Sequence, residues 1–126
     1  VGKDFNEHTQ YRTCSIKDIC TDEMILDIGP KTINLYKSII QNSATIFWNG
    51  PMGIYEWANF SHGTREIADS IANSSSKTII GGGSTVDASH HFQIQDKINH
   101  ISTGGGASLE FLEGKLLPGI IALEDK

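Results

Sequence analysis

The chain has 126 residues, with 10 Lys+Arg, 15 Asp+Glu and 5 His, and a formal net charge of −5. With 38% hydrophobic and 20% charged residues, it is neither disordered nor membrane-embedded, and it is long enough for one domain with a buried core. No apolar run approaches the ~18 residues that span a bilayer. The acidic balance argues against a general nucleic-acid binder, which needs a basic patch, but not against a small anion held by helix N-termini and loop amides.

In chain order, the sequence starts at Val1 without a Met or a charged-then-apolar leader, which suggests a piece of something longer. Cys14 and Cys20 have no second pair, so they make neither a disulfide framework nor a zinc site. Free thiols in a reducing cytoplasm are the expectation. Met24-Ile25-Leu26 reads as a short strand ending at Asp27-Ile28-Gly29-Pro30. A helix follows, with Pro30 near its start, where a missing N–H costs little. Ile33, Tyr36 and Ile40 share its apolar face, with Leu35 and Ile39 beside it.

Thr45-Ile46-Phe47-Trp48 is a second short strand, stopping at Asn49-Gly50-Pro51-Met52-Gly53. An Asn amide both donates and accepts, and nearby Glu56 could accept two ribose hydroxyls. The plainer alternative is a structured turn followed by a surface acid. His62 falls in a loop. Ile67, Ala68, Ile71 and Ala72 form a second helical stripe, with Ser61 or Thr64 as candidate caps. Thr78-Ile79-Ile80 is a strand that stops at Gly81-Gly82-Gly83. His90 and His91 are adjacent on a helix, so they diverge by about 100° and do not readily share a metal. His100-Ile101-Ser102-Thr103 is a strand stopping at Gly104-Gly105-Gly106, and Ala107 to Leu112 begins a helix.

Strand, glycine turn, helix, strand is the βαβ pattern. The expected fold class is α/β, a three-layer Rossmann-like parallel sheet, here an incomplete one. Ligands bind such sheets beyond the C-terminal strand ends, where all the glycine clusters lie. Glycine triplets let backbone amides approach a ligand at a helix N-terminus, as a phosphate cradle requires. A tight turn without a ligand explains one triplet equally well. The chain has no G-x-x-x-x-G-K-[ST], no G-x-G-x-x-G, no H-E-x-x-H and no G-x-S-x-G, so a Walker-type loop, a dinucleotide fold, a zinc hydrolase and a serine hydrolase are unsupported.

Four segments together resemble the C-terminal region of the phosphoglycerate kinase family: Phe47 to Glu56, Thr78 to Thr85, His100 to Glu110 and Glu113 to Gly119. Leu26-Asp27-Ile28-Gly29-Pro30 fits as well, so the resemblance covers the chain from about Val1 to its end. It implies that residues 1–126 are the C-terminal part of a nucleotide-binding domain, with the N-terminal substrate domain absent. The reaction implied is phosphoryl transfer between 1,3-bisphosphoglycerate and ADP, giving 3-phosphoglycerate and ATP with Mg²⁺, in the cytoplasm. The resemblance puts Glu56 on the ribose. Asn49, Gly50 and Pro51 line the nucleotide site, and Gly82, Gly83, Ser84 and Thr85 lie by the phosphates. Gly104, Gly105 and Gly106 open the helix whose amides face the transferring phosphoryl. Two positions depart from the family. Ser84 stands where a Mg²⁺-associated Asp is usual, with Asp87 as a possible substitute. Ile25 replaces a Gly near the adenine. The implied partners are the nucleotide and, through the missing domain, 3-phosphoglycerate, with no nucleic acid and no membrane. The parent is expected to be monomeric. The fragment alone is expected to be inactive and prone to self-association. The alternative is a non-catalytic nucleotide- or protein-binding module derived from the same fold.

Overall fold

The computed structural model describes residues 1–123. Three strands, β1 (Thr45–Trp48), β2 (Lys77–Gly81) and β3 (His100–Ser102), form a parallel sheet in the order β1-β2-β3. Phe47 lies opposite Ile79, Trp48 opposite Ile80, and Ile80 opposite Ile101. Parallel neighbours need a crossover. Helix α2 (His62–Ala72) joins β1 to β2, and helix α3 (Gly83–His91) joins β2 to β3. Helix α1 (Pro30–Gln41) precedes the sheet, while α4 (Gly105–Leu112) and the single turn α5 (Pro118–Ile121) follow it. This is the expected α/β sheet of parallel strands flanked by helices.

One cluster holds the elements together. Ile40 of α1, Ile67, Ala68 and Ile71 of α2, and Ala88 of α3 pack with Trp48 and Ile80. Side chains alternate along a strand, so Ile46, Trp48 and Ile80 share one face of the sheet. Phe47 and Ile79, half-buried, point to the other. There the Phe47 ring fills the space a side chain at Gly81 would need, 2.8 Å from an added Cβ. Between α1 and α2, Lys37 donates to Glu66 at 2.7 Å. This pairing holds the Glu66 carboxyl below its ordinary range.

Three expectations need correction. Met24–Leu26 is not a sheet strand. Met24 makes a single antiparallel bridge with Gly2, and the Leu26 carbonyl accepts from Ile54 N–H at 3.0 Å, so the segment's backbone is used across the strand ends. Its extended alternation still buries Leu26 and leaves Ile25 67% exposed. On α1, Ile33 and Ile40 are buried, but Tyr36, Leu35 and Ile39 face outward, because α2 covers a narrower stripe than the sequence offers. His62 is the first residue of α2 rather than a loop residue. Ser61 precedes it without a side-chain capping bond, and Thr64 lies inside the first turn.

Among the described residues, no helix is long and apolar enough to cross a membrane. Both cysteines are free thiols.

Candidate functional site

Each strand delivers its glycine turn to the same end of the sheet. After β2 the chain turns through Gly82, with φ +91°, and enters α3 at Gly83. That backbone conformation strains any residue with a Cβ. After β3, Gly104 leads into α4 at Gly105. The two turns touch: an added Cβ on Gly105 would lie 2.8 Å from the Gly82 Cα. The Asn49 side chain, at the end of β1, completes the meeting point. Its Oδ1 would be 2.7 Å from a Cβ on Gly82 and 3.1 Å from one on Gly105. The structure therefore brings Asn49, Gly82 and Gly105 together from three separated segments.

This geometry has a direct chemical meaning. The first amides of a helix have no intrahelical acceptor and carry partial positive charge. Two such helix starts, α3 and α4, stand side by side. A Cβ at Gly83 or Gly106 would meet nothing within 4 Å, so both turns are open to an approaching group. Converging amides of this kind suit the oxygens of a phosphate chain. On the α4 side, Ser108 Oγ donates to the Gly104 carbonyl at 2.7 Å and lies 3.0 Å from Ser102 Oγ, which closes the turn on itself.

The loop after β1 is held from several sides. Trp48 Nε1–H donates to the Gly50 carbonyl at 2.7 Å. Gly50 N–H donates to Thr85 Oγ1 at 2.6 Å, and Thr85 is 1% exposed. Met52 and Gly53 N–H donate to Thr64 Oγ1 at 3.1 and 3.2 Å. Thr85, expected beside the phosphates, thus ties this loop to α3. Pro51 is half-buried in the same loop.

Asp27 braces the loop from behind. Its Oδ2 accepts from Gly63 N–H at 2.7 Å and its Oδ1 from Ile28 N–H at 2.8 Å. Burial pushes its carboxyl above the ordinary range, against the pull of these two amides. Side chains at Gly53 and Gly63 would collide with it.

Ser84 is exposed on the first turn of α3. Asp87, three residues on, accepts the Tyr55 hydroxyl at 2.6 Å through Oδ2. That bond, with burial, pushes the Tyr55 phenol above its usual range. Among the described residues, no three His, Cys, Asp or Glu side chains gather as a metal site. Asp87, the one carboxylate of α3, accepts the Tyr55 bond on one oxygen and is exposed.

Glu56 follows Tyr55, whose hydroxyl reaches Asp87 of α3. It is exposed and lines a cleft of about 380 Å³ with Tyr55, Ser61, His62, Arg65 and His91. A larger cavity of about 480 Å³ includes Ile25, Asp27, Cys14 and Phe60, and none of the glycine-turn residues line it.

Thr64, Asp27 and Tyr55 were not legible as site residues. Thr64 could be read only as a possible helix cap. The one sequence hint was the small Gly63-Thr64 pair ahead of the apolar stripe.

A model of the phosphoglycerate kinase family matches residues 1–115. The chain is 51% identical over 126 residues to phosphoglycerate kinase of Clostridium novyi (strain NT), covering 100% of this chain and 32% of that protein. It is 50% identical over 125 residues to phosphoglycerate kinase of Roseiflexus sp. (strain RS-1), covering 99% and 32%. Among solved structures, phosphoglycerate kinase from Coxiella burnetii superposes with a TM-score of 0.85 at 40% identity, over 91% of this chain and 30% of that one. Phosphoglycerate kinase from Pyrococcus horikoshii OT3 gives 0.71 at 41% identity, over 79% and 24%. The chain spans about a third of the length of the curated relatives it matches.

Proposed function

This chain belongs to the phosphoglycerate kinase family, and from that premise we propose that it is the C-terminal part of a nucleotide-binding domain. Its parent transfers a phosphoryl group between 1,3-bisphosphoglycerate and ADP, giving 3-phosphoglycerate and ATP. The observation that carries this reading is the meeting of Asn49, Gly82 and Gly105, which sets two helix N-termini against one point.

In this reading Glu56 accepts the ribose hydroxyls. Asn49 and the Gly50-Pro51 turn border the nucleotide. Gly82, Gly83, Ser84 and Thr85 belong to the turn that takes its phosphates. The amides of Gly104, Gly105 and Gly106 face the phosphoryl in flight. Phosphoryl transfer asks for positioned donors and charge neutralisation rather than a covalent nucleophile, and oriented amides supply both. The chain has no lysine or arginine between Tyr36 and Leu116 other than Lys37, Arg65, Lys77, Lys97 and Lys115, and none stands in either glycine turn. The cationic neutralisation and the phosphoglycerate site are therefore assigned to the substrate domain and the remainder of the parent, and residues 1–126 alone are inactive.

Magnesium would arrive with the nucleotide phosphates. The residues present fit it poorly: Ser84 offers a neutral hydroxyl where a hard cation prefers a carboxylate, and among the described residues no three His, Cys, Asp or Glu side chains gather there. The same observation favours a second reading, a non-catalytic module that holds nucleotide without metal.

Calorimetric titration of ADP into the chain, with Mg²⁺ and with chelator, tests both. Binding in either condition is expected, without turnover of 3-phosphoglycerate in a coupled assay. Absence of binding in both overturns the nucleotide reading. Ser84→Asp should tighten Mg-ADP about tenfold, the scale of one charge-assisted contact, and leave metal-free ADP unimproved. An equal change in both conditions would take Ser84 away from the metal.

A further inference from the structure

We propose that Thr64 is the positioning residue of the Asn49–Gly53 loop, its single hydroxyl oxygen setting the conformation in which Asn49 reaches Gly82 and Gly105. This inference rests on the nucleotide-site reading of that loop.

Thr64 is 0% exposed, in the first turn of α2. A hydroxyl oxygen has two acceptor positions. Two consecutive loop amides, Met52 and Gly53, use them, at 3.1 and 3.2 Å. Consecutive N–H groups of an extended chain point in opposite directions, so their convergence on one atom requires the backbone to curl around it. The neighbouring residue fixes where that atom sits. Gly63 N–H is bonded to Asp27 Oδ2 at 2.7 Å, and Asp27 packs into the space left by the missing side chains of Gly53 and Gly63. The next residue, Ile54, is tied by its N–H to the Leu26 carbonyl at 3.0 Å.

The first turn of α2 thus grips the loop at two successive amides, and Thr85 of α3 grips it at Gly50. The chain that follows Asn49 is tied at Gly50, Met52 and Gly53. A valine at 64 would fill nearly the same volume and leave both amides unpaired, so the volume alone does not explain a threonine. Both acceptor positions of the Thr64 oxygen are taken by the loop amides.

The test compares Thr64→Val and Thr64→Ser with the unaltered chain, by amide hydrogen exchange and by ADP titration. In the unaltered chain, Met52 and Gly53 N–H should exchange as slowly as the amides of α2. Exchange at the rate of an open loop overturns the proposal, whatever the variants do. Thr64→Val should speed exchange at those two amides about tenfold, the loss of one buried hydrogen bond each, with Ile67 and Ile71 unchanged. It should weaken ADP by a comparable factor. Thr64→Ser should restore both readings. Freed amides with unaltered ADP affinity, or a serine variant as weak as the valine, overturn the positioning role. A chain that binds no ADP in any form overturns the nucleotide reading instead, and the exchange data then judge the grip on the loop by themselves.

Discussion

The two sides of the candidate site are built in opposite ways. The loop after β1 is pinned at Gly50, Met52 and Gly53 by threonine hydroxyls from two helices, and Thr64 and Thr85 are 0% and 1% exposed. Helix α4, which brings the other set of open amides, has no buried residue. Leu109, Phe111 and Leu112 on it are 43%, 62% and 62% exposed, and Leu116, Ile120 and Ile121 continue the apolar surface. One side is held by the chain's own core. The other touches that core mainly where Gly105 meets Gly82. Local stability follows buried contacts, so the first side should open with the whole fold and the second should open before it.

The largest test of that contrast is at the shared core. Ile80 is 0% exposed at the centre of the sheet. Ile80→Ala should cost about 2–5 kcal/mol, a large part of the stability of a small domain. Urea unfolding followed by circular dichroism measures it. If amide hydrogen exchange in α4 were as slow as in the core of the unaltered chain, the two sides would not differ as described.

Gly105→Ala strikes the join. The added methyl must push α4 away from the Gly82 backbone. A firmly packed helix would lose roughly 1–3 kcal/mol from such overpacking. Because α4 is free to shift, the expected stability loss is at the low end, about 1 kcal/mol, while ADP binding falls about tenfold or more. A large loss of stability with unchanged ADP affinity would reverse the comparison.

A third test uses pH at a site outside the comparison, as a control. Arg12 pairs with Glu23 through two bonds of 2.7 Å, and Cys20 N–H donates to the same carboxylate at 2.9 Å. These contacts hold the Glu23 carboxyl down at about 2, against an ordinary 4.5. A lowered folded-state value means that the stabilisation is present above the ordinary value and is lost as pH falls from 4.5 towards 2. The Arg12 Nε–H resonance should stay protected down to about 2, and Glu23→Gln should remove that protection at neutral pH. Glu23→Gln should leave exchange at Met52 and Gly53 unaltered at neutral pH.

The smallest effect belongs to α4. Phe111→Lys on an exposed, unpacked position should change stability by within about 0.5 kcal/mol. It should reduce self-association of the chain, because uncovered apolar surface of this extent draws partners. Sedimentation at several concentrations checks both forms. A strictly monomeric unaltered chain would show that the patch does not act.

The elements were largely legible before the fold was known. β1 follows the Thr45–Trp48 run residue for residue, and β2 and β3 differ from the expected runs only at their ends. Short apolar runs stopped by glycine suit a parallel sheet and little else. Met24–Leu26 misled because an apolar triplet cannot say which backbone will bond it; Gly2 claimed Met24. The site was legible only in part. Asn49, Gly82 and Gly105 were picked out by their spacing after strands and by the family resemblance, and they do meet.

The sequence by itself determined the three sheet strands and the helices that join them, the strand ends at which the glycine turns sit, and the family. All three depend on local pattern: apolar periodicity, and glycines where the backbone must turn or approach closely. Only the tertiary structure decided what holds the turns in place. Thr64 and Gly53 are eleven residues apart, Thr85 and Gly50 thirty-five, Tyr55 and Asp87 thirty-two. A threonine hydroxyl at a helix start serves equally as a cap, a surface group or a pin. Which one it becomes depends on whether packing removes water from it and brings a distant, unpaired amide within about 3 Å.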